Sequence, residues 1–269
     1  MKFYEKLKAT TLVTLLSVIF LFYSCGGEST DTIEEENVEI IENYKLLKRV
    51  TYKDYWFNKL VNMDFSYSEG LLVKGNNAGE LVYFGYNSDN KIISEQECSD
   101  QNLSDINIDT YNCSEFYPPY NATPYTYTNG LRDGFNYDDK GNLISDIAPA
   151  GSDSLYYTYD SNGIVVSEYV TDGNGGYTLT FEWDGKKNPF NVLWEKYGYY
   201  NWGGESFEPY GLISNICKNN ATKVFSDGEL IMEAVYTYNS DGYPIRANFI
   251  KYFNDGSTRE GTTSLYYVE

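Results

Sequence analysis

The sequence predicts an all-β protein: an antiparallel array of β-hairpin repeats forming a continuous twisted sheet, or an open barrel or solenoid. Three observations predict it. An aromatic–any–aromatic strand ending recurs at Phe65/Tyr67, Phe84/Tyr86, Phe135/Tyr137, Tyr157/Tyr159, Phe181/Trp183 and Tyr236/Tyr238. A short turn of Asp, Asn and Gly then leads into another apolar run, clearest at Tyr159-Asp160-Ser161-Asn162-Gly163-Ile164 and Tyr238-Asn239-Ser240-Asp241-Gly242-Tyr243. No apolar period of 3.6 residues persists beyond the first 25 residues, so long helices find no support.

From the N-terminus, residues 1–24 read as a lipoprotein signal peptide. Lys2, Lys6 and Lys8 precede an apolar run from Ala9 to Tyr23, which is short for a membrane-spanning helix of roughly 20 residues. Ser24-Cys25-Gly26-Gly27 follows, and a small residue before Cys marks the cut that leaves Cys25 as an acylated N-terminus. An uncleaved anchor and an ordinary secretory signal are the competing readings. Residues 25–43 read as an acidic disordered tether, with Glu28, Asp31, Glu34, Glu35, Glu36, Glu39 and Glu42 and no aromatic residue. From Tyr44 to Glu269 one Tyr-rich alternating texture continues, read as a single β-hairpin repeat domain.

Within that domain each aromatic pair lies on one side of its strand, since residues i and i+2 share a face. The starting positions differ by 19, 51, 22, 24 and 55. The short intervals fit two strands of five to seven residues with their turns, and the long ones hide insertions or degenerate copies. The turn residues have separate tasks: Asp138, Asp160 and Asn239 accept backbone N–H bonds, and Gly141, Gly163 and Gly242 adopt the left-handed backbone that closes the loop. Hairpins are marginal alone in water, so neighbouring copies must stack side by side.

The pattern Tyr-x-Tyr-Asp-x-x-Gly before an apolar strand resembles the YD repeat of Rhs-type and teneurin-type shells. Over residues ~50–269 the chain more closely resembles the YD-like repeat lipoproteins of Bacteroidota, including the stretch from Phe181 to Phe190 with its Asn188-Pro189-Phe190. The repeat implies architecture only; an outer-membrane or cell-surface location is the expectation for the lipid-anchored chain. The resemblance brings no catalytic residues, and the copies are too few and irregular to imply the encapsulation role of true Rhs shells.

The chemistry is bounded by what the chain lacks. There is no His in 269 residues, which removes Ser-His-Asp and Cys-His arrangements and the commonest metal ligand. No Cys-x-x-Cys pair suggests zinc, and no metal or cofactor is expected. A net charge of −19 makes nucleic acid a poor partner. In an exported, oxidising setting Cys98 and Cys113, bracketing 14 residues, are expected to form a disulfide, leaving Cys217 as a buried thiol.

The richest aromatic segment, Trp194 to Tyr210, interrupts the repeat. Trp194, Tyr197, Tyr199, Tyr200, Trp202 and Glu205 are the candidate ligand-binding residues, since rings beside carboxylates suit sugars; the competing reading makes these rings core. The functional expectation is a non-catalytic, lipid-anchored envelope or cell-surface protein binding a glycan or partner protein. The alternative is a carboxylate-dependent glycan hydrolase, with Glu182, Asp184, Glu195, Glu205 and Glu208 as acids adjacent to aromatics and nothing that singles out two of them.

Overall fold

A computed structural model describes residues 44–54, 59–77, 79–100, 103, 106–117, 124–146, 154–171, 175–198 and 215–269. The expected signal peptide, Cys25 and the acidic tether lie outside the described residues. The strands before the first long interval are β1 (Leu47–Asp54), β2 (Lys59–Ser68), β3 (Leu71–Asn77), β4 (Glu80–Tyr86) and β5 (Ile92–Glu97). A short pair, β6 (Tyr127–Thr128) and β7 (Leu131–Arg132), precedes β8 (Phe135–Tyr137), β9 (Leu143–Asp146), β10 (Ser154–Tyr159), β11 (Val165–Thr171) and β12 (Gly176–Lys187). After helix α1 (Asn191–Tyr197) come β13 (Asn219–Ser226), β14 (Glu229–Tyr238), β15 (Pro244–Tyr252) and β16 (Thr258–Tyr267).

Fourteen of these strands form one antiparallel sheet in the order β5-β4-β3-β2-β1-β16-β15-β14-β13-β12-β11-β10-β9-β8. The fold class is thus the expected one, a continuous sheet that does not close into a barrel. Sheet neighbours are consecutive in the chain except at one seam, where β1 pairs with β16. The chain enters mid-sheet, meanders to one edge at β5, crosses to the other edge at β8, and meanders back until β16 meets β1.

The turns follow the chemistry read from the sequence. Asp160 Oδ1 accepts the N–H groups of Asn162 (2.8 Å) and Ile164 (2.9 Å), and Gly163 sits at φ +75°. Asp138 and Asn239 do the same work with Gly141 and Gly242. Asn87 repeats the arrangement with Asn90, not Gly, at φ +59°, a conformation that Asn tolerates better than most side chains.

The strand that pairs with each of the six aromatic endings begins with a bulge. The second ring of a pair lies opposite a buried residue, and the residue after it is skipped in the register. The opposed pairs are Tyr67/Leu72, Tyr86/Ile92, Tyr137/Leu143, Tyr159/Val165, Trp183/Ala221 and Tyr238/Pro244. Tyr267/Leu47 is a seventh, across the seam. A bulge takes backbone groups out of the regular ladder, and buried carbonyls need a donor. In all seven cases an aromatic side chain of the following strand supplies one. Tyr67 donates to Leu47 O (2.9 Å), Tyr86 to Leu72 O, Tyr127 to Ile92 O (2.7 Å), and Tyr159 to Leu143 O (2.6 Å). Trp183 Nε1 donates to Val165 O (2.8 Å), Tyr236 to Ala221 O (2.8 Å), and Tyr267 to Pro244 O (2.6 Å). Burial raises the hydroxyl pKa of Tyr67, Tyr86, Tyr159, Tyr236 and Tyr267, so these groups remain protonated donors.

The rings therefore hold adjacent hairpins in register while burying area. The main core gathers Leu47, Val50, Met63, Phe65, Leu72, Phe84, Ile92, Val224, Met232, Phe249 and Leu265 on one face of the sheet, with Phe190, Leu193 and Tyr197 of the α1 region packed onto it. A second cluster holds Leu143, Tyr157, Val165, Ile216 and Cys217. The sheet wraps around α1: Tyr197 donates to Gly70 O at 2.7 Å on the β2–β3 side, while Trp194 packs on Phe135 of β8 with centroids 6.2 Å apart.

Tyr159→Phe keeps the ring and strips the donor from the Leu143 carbonyl, so it is expected to destabilise by about 1–3 kcal/mol in urea unfolding. Tyr156→Phe, on a ring that is 41% exposed, is expected to change stability by less than about 0.5 kcal/mol. Equal effects would remove the hydroxyl from the account of the repeat.

Candidate functional site

Of the residues expected to bind ligand, Trp194 and Tyr197 are described and neither projects from the domain. Both lie on α1, a helix that the sequence analysis did not anticipate where the repeat is interrupted. Tyr197 is fully buried at 0% exposure, with its ring against Tyr86 at 6.1 Å, so it is a core residue and its assignment to a binding face is corrected. Trp194 packs against the second cluster. Tyr199, Tyr200, Trp202 and Glu205 lie outside the described residues. Asn188 starts the helix: its Oδ1 accepts Phe190 N–H at 3.0 Å and its amide nitrogen donates to Cys217 O at 2.9 Å. Gly198 ends it at φ +69°, and Lys91 donates to the carbonyls of Glu195 and Lys196 at its C-terminus, where a cation is favoured.

The described acids near aromatics are likewise engaged. Glu182 pairs with Lys223 at 3.0 Å, Glu195 accepts from Tyr44, and Asp184 accepts from Tyr238 and from the backbone of Lys186. The most perturbed carboxyl is one the sequence did not mark. Glu168 of β11 is 7% exposed between Tyr157 and Leu179 on the neighbouring strands. Its Oε2 has no hydrogen-bond partner among the described residues, and burial pushes its pKa up to about 7. It also raises the pKa of the Cys217 thiol, already lifted by burial.

The opposite face of the sheet carries a cleft of about 710 Å³, lined by Lys48, Arg49, Thr51, Asp64 and Tyr266 on the sheet side. Its other wall is Ile106, Asn107, Ile108 and Asp109, part of the crossing between the sheet edges. Cys98 and Cys113 are joined in a disulfide that closes this crossing segment into a loop, which in the chain-entropy model stabilises by about 3 kcal/mol. Lys74 Nζ donates to Ile108 O (3.2 Å) and Tyr111 O (2.7 Å), and Asn76 donates to Leu103 O (2.9 Å). Leu81, Cys98, Leu103 and Ile108 form a small core under the loop. The wall is thus built and held independently of the main core.

On the sheet side the row Tyr266–Arg49–Asp64 runs across β16, β1 and β2. Arg49 Nε donates to Asp64 Oδ1 at 2.5 Å, and that hydrogen bond with Asp64 raises the Arg49 pKa. Asp64 is only 8% exposed, while the Tyr266 ring is 52% exposed. Thr51 donates to Asn62 alongside. The arrangement offers an open ring, an oriented guanidinium, hydroxyl groups and the Asn107 and Asp109 side chains across a cleft large enough for a sugar or two. None of these residues was marked from the sequence, since they come together only through the seam and the crossing loop.

Neither a family model nor a curated protein matches this chain. Among solved structures, a porin-like protein from Bacteroides uniformis is similar with a TM-score of 0.41 and 10% identity, covering 82% of this chain and 98% of that chain. At that score and identity the likeness carries no argument about function or location.

Glu168 gives the domain a pH dependence with a definite sign. In the unfolded chain it loses its proton near the ordinary glutamate value of 4.5, whereas in the fold it keeps it to about pH 7. Between these values the unfolded state binds fewer protons, so stability falls as pH rises and levels off above about 7. The loss is expected to approach about 3 kcal/mol by pH 8. Glu168→Gln should remove that slope in urea melts from pH 4 to 8, and an unchanged slope would show that Glu168 is not buried as described.

Proposed function

We propose that the protein is a lipid-anchored component of a bacterial envelope or cell surface that binds a glycan without turning it over. The observation that carries the binding reading is the cleft between the disulfide-closed loop and the outer row Tyr266–Arg49–Asp64. An exposed ring takes the C–H face of a sugar, and the flanking amide, carboxylate and guanidinium groups meet its hydroxyls. The anchor reading rests on Lys2, Lys6, Lys8, the apolar run to Tyr23 and Ser24-Cys25-Gly26, with Cys25 the acylated residue and the membrane its partner. Absence of turnover is the favoured half of the proposal because Asp64, the buried acid of the cleft, is already committed to Arg49.

Affinity electrophoresis of residues 26–269, with the disulfide intact, in gels cast with neutral and acidic polysaccharides tests the reading. At least one polysaccharide should retard the protein, Tyr266→Ala should lower the affinity about tenfold or more at an unchanged melting temperature, and no new reducing ends should form. Retardation unaffected by Tyr266→Ala and Asn107→Ala would move the site elsewhere. Reducing ends that disappear with a single Asp or Glu substitution would favour the hydrolase. In the full chain, Cys25→Ala should release the protein from the membrane fraction.

A further inference from the structure

Two adjacent basic side chains of a strongly acidic chain face the same cleft, and a bulge is the reason. In a regular strand Lys48 and Arg49 would point to opposite sides of the sheet. Lys48 is instead the residue skipped at the seam, where Leu47 pairs with Tyr267 and Arg49 with Tyr266. Both side chains are exposed and both line the cleft, and Val50 returns to the buried face at 0% exposure. Of the other six bulge residues, Val73, Ile93, Ile144, Val166 and Ile245 are aliphatic and Thr222 is uncharged; the strand geometry does not by itself call for a cation at this position.

The guanidinium is also aimed. Asp64, buried beneath the disulfide loop, holds Nε at 2.5 Å, and the terminal amino groups of Arg49 have no protein partner among the described residues. A guanidinium fixed at Nε keeps its outer N–H groups free in a rigid plane, which matches the two oxygens of a carboxylate. Tyr266 stands next to it across the strand pair. On the far wall Asp109 is negative and Asn107 accepts the Asp109 backbone N–H through its Oδ1, leaving its amide nitrogen as a donor. An anion would therefore sit against the sheet wall, away from Asp109, with neutral hydroxyls toward the loop.

We infer that the cleft takes an acidic glycan, with the carboxylate of a uronic acid residue held by Arg49 and Lys48, the sugar ring against Tyr266 and its hydroxyls facing Asn107 and Asp109. Asp64 is a positioning residue that touches Arg49 and not the ligand. This rests on the reading of the cleft as a glycan site. Binding weakens as salt rises, since both cations are solvent-exposed.

Titration calorimetry on residues 26–269 with oligogalacturonate, oligomannuronate and hyaluronan oligomers, each against its methyl ester of equal length, tests the inference. At least one acid should bind, with its ester about tenfold or more weaker. Arg49→Gln should abolish the preference for the acid, and Lys48→Gln should reduce it with the unfolding transition unchanged. Lys48→Gln, on an exposed bulge residue, keeps the test informative if Arg49→Gln fails to fold. Esters binding as well as acids, or binding of neutral polysaccharides alone, would overturn the acidic class and leave the glycan reading standing. Absence of binding by every acidic and neutral glycan would overturn both.

Discussion

The structure depends on one hydrogen bond made seven times, from an aromatic side chain to the backbone carbonyl at the bulge of the preceding strand. A bulge after a tight turn is useful because it lets the buried residue face the core immediately. It also leaves a carbonyl where water does not reach, and an unpaired buried carbonyl costs as much as a lost hydrogen bond. A tyrosine at the end of the next strand resolves the conflict with one side chain: the ring fills the core and the hydroxyl reaches the carbonyl. This gives the aromatic–any–aromatic ending a physical reason. One ring of the pair is mainly for burial, and in most copies the other also ties its strand to the one before it. Where the second ring is engaged elsewhere, as when Tyr238 donates to Asp184, the first ring, Tyr236, donates to Ala221 instead.

The same device explains where the candidate site lies. The array is cut in the middle of a repeat, so its last copy is assembled from the two ends of the described domain, with Tyr267 supplied by β16 and Leu47 by β1. The bulge at this seam carries Lys48 in place of an aliphatic residue, and its neighbours Arg49, Asp64 and Tyr266 form a row across three strands. The second wall comes from the long crossing between the two sheet edges, stapled by Cys98–Cys113 and seated on Leu81 and its neighbours. A seam and a crossing are the two places where this architecture departs from strict repetition, and the cleft is built from both.

Much of the sheet was legible in the sequence because the repeat writes it in local terms: ring pairs two apart, an Asp or Asn that accepts turn N–H groups, a Gly at positive φ. The carbonyl acceptors were not legible, since each lies 14 to 35 residues from its donor. Helix α1 was missed because seven residues are too few to establish a period, and its start relies on Asn188 reaching across to the Cys217 carbonyl. Tyr197 looked like a binding ring for the same reason: the sequence shows an aromatic run but not that the sheet wraps around it. Lys48 and Arg49 read as an unremarkable basic pair until the bulge placed them on one face. Glu168, in a strand of ordinary alternation, gave no sign that its carboxyl is packed beside Tyr157 and Cys217.

The central claim is that ring-to-carbonyl bonds make the array one cooperative sheet, including the seam where its two ends meet. Native-state hydrogen exchange in increasing denaturant reads this strand by strand. The account predicts that backbone amides of β1 and β16 exchange only through the same global opening as those of β13, β14 and β15, with one shared free energy and denaturant slope. Exchange of β1 or β16 by a separate, lower-energy opening would mean that the seam is merely adjacent strands, and the cooperative array would be contradicted.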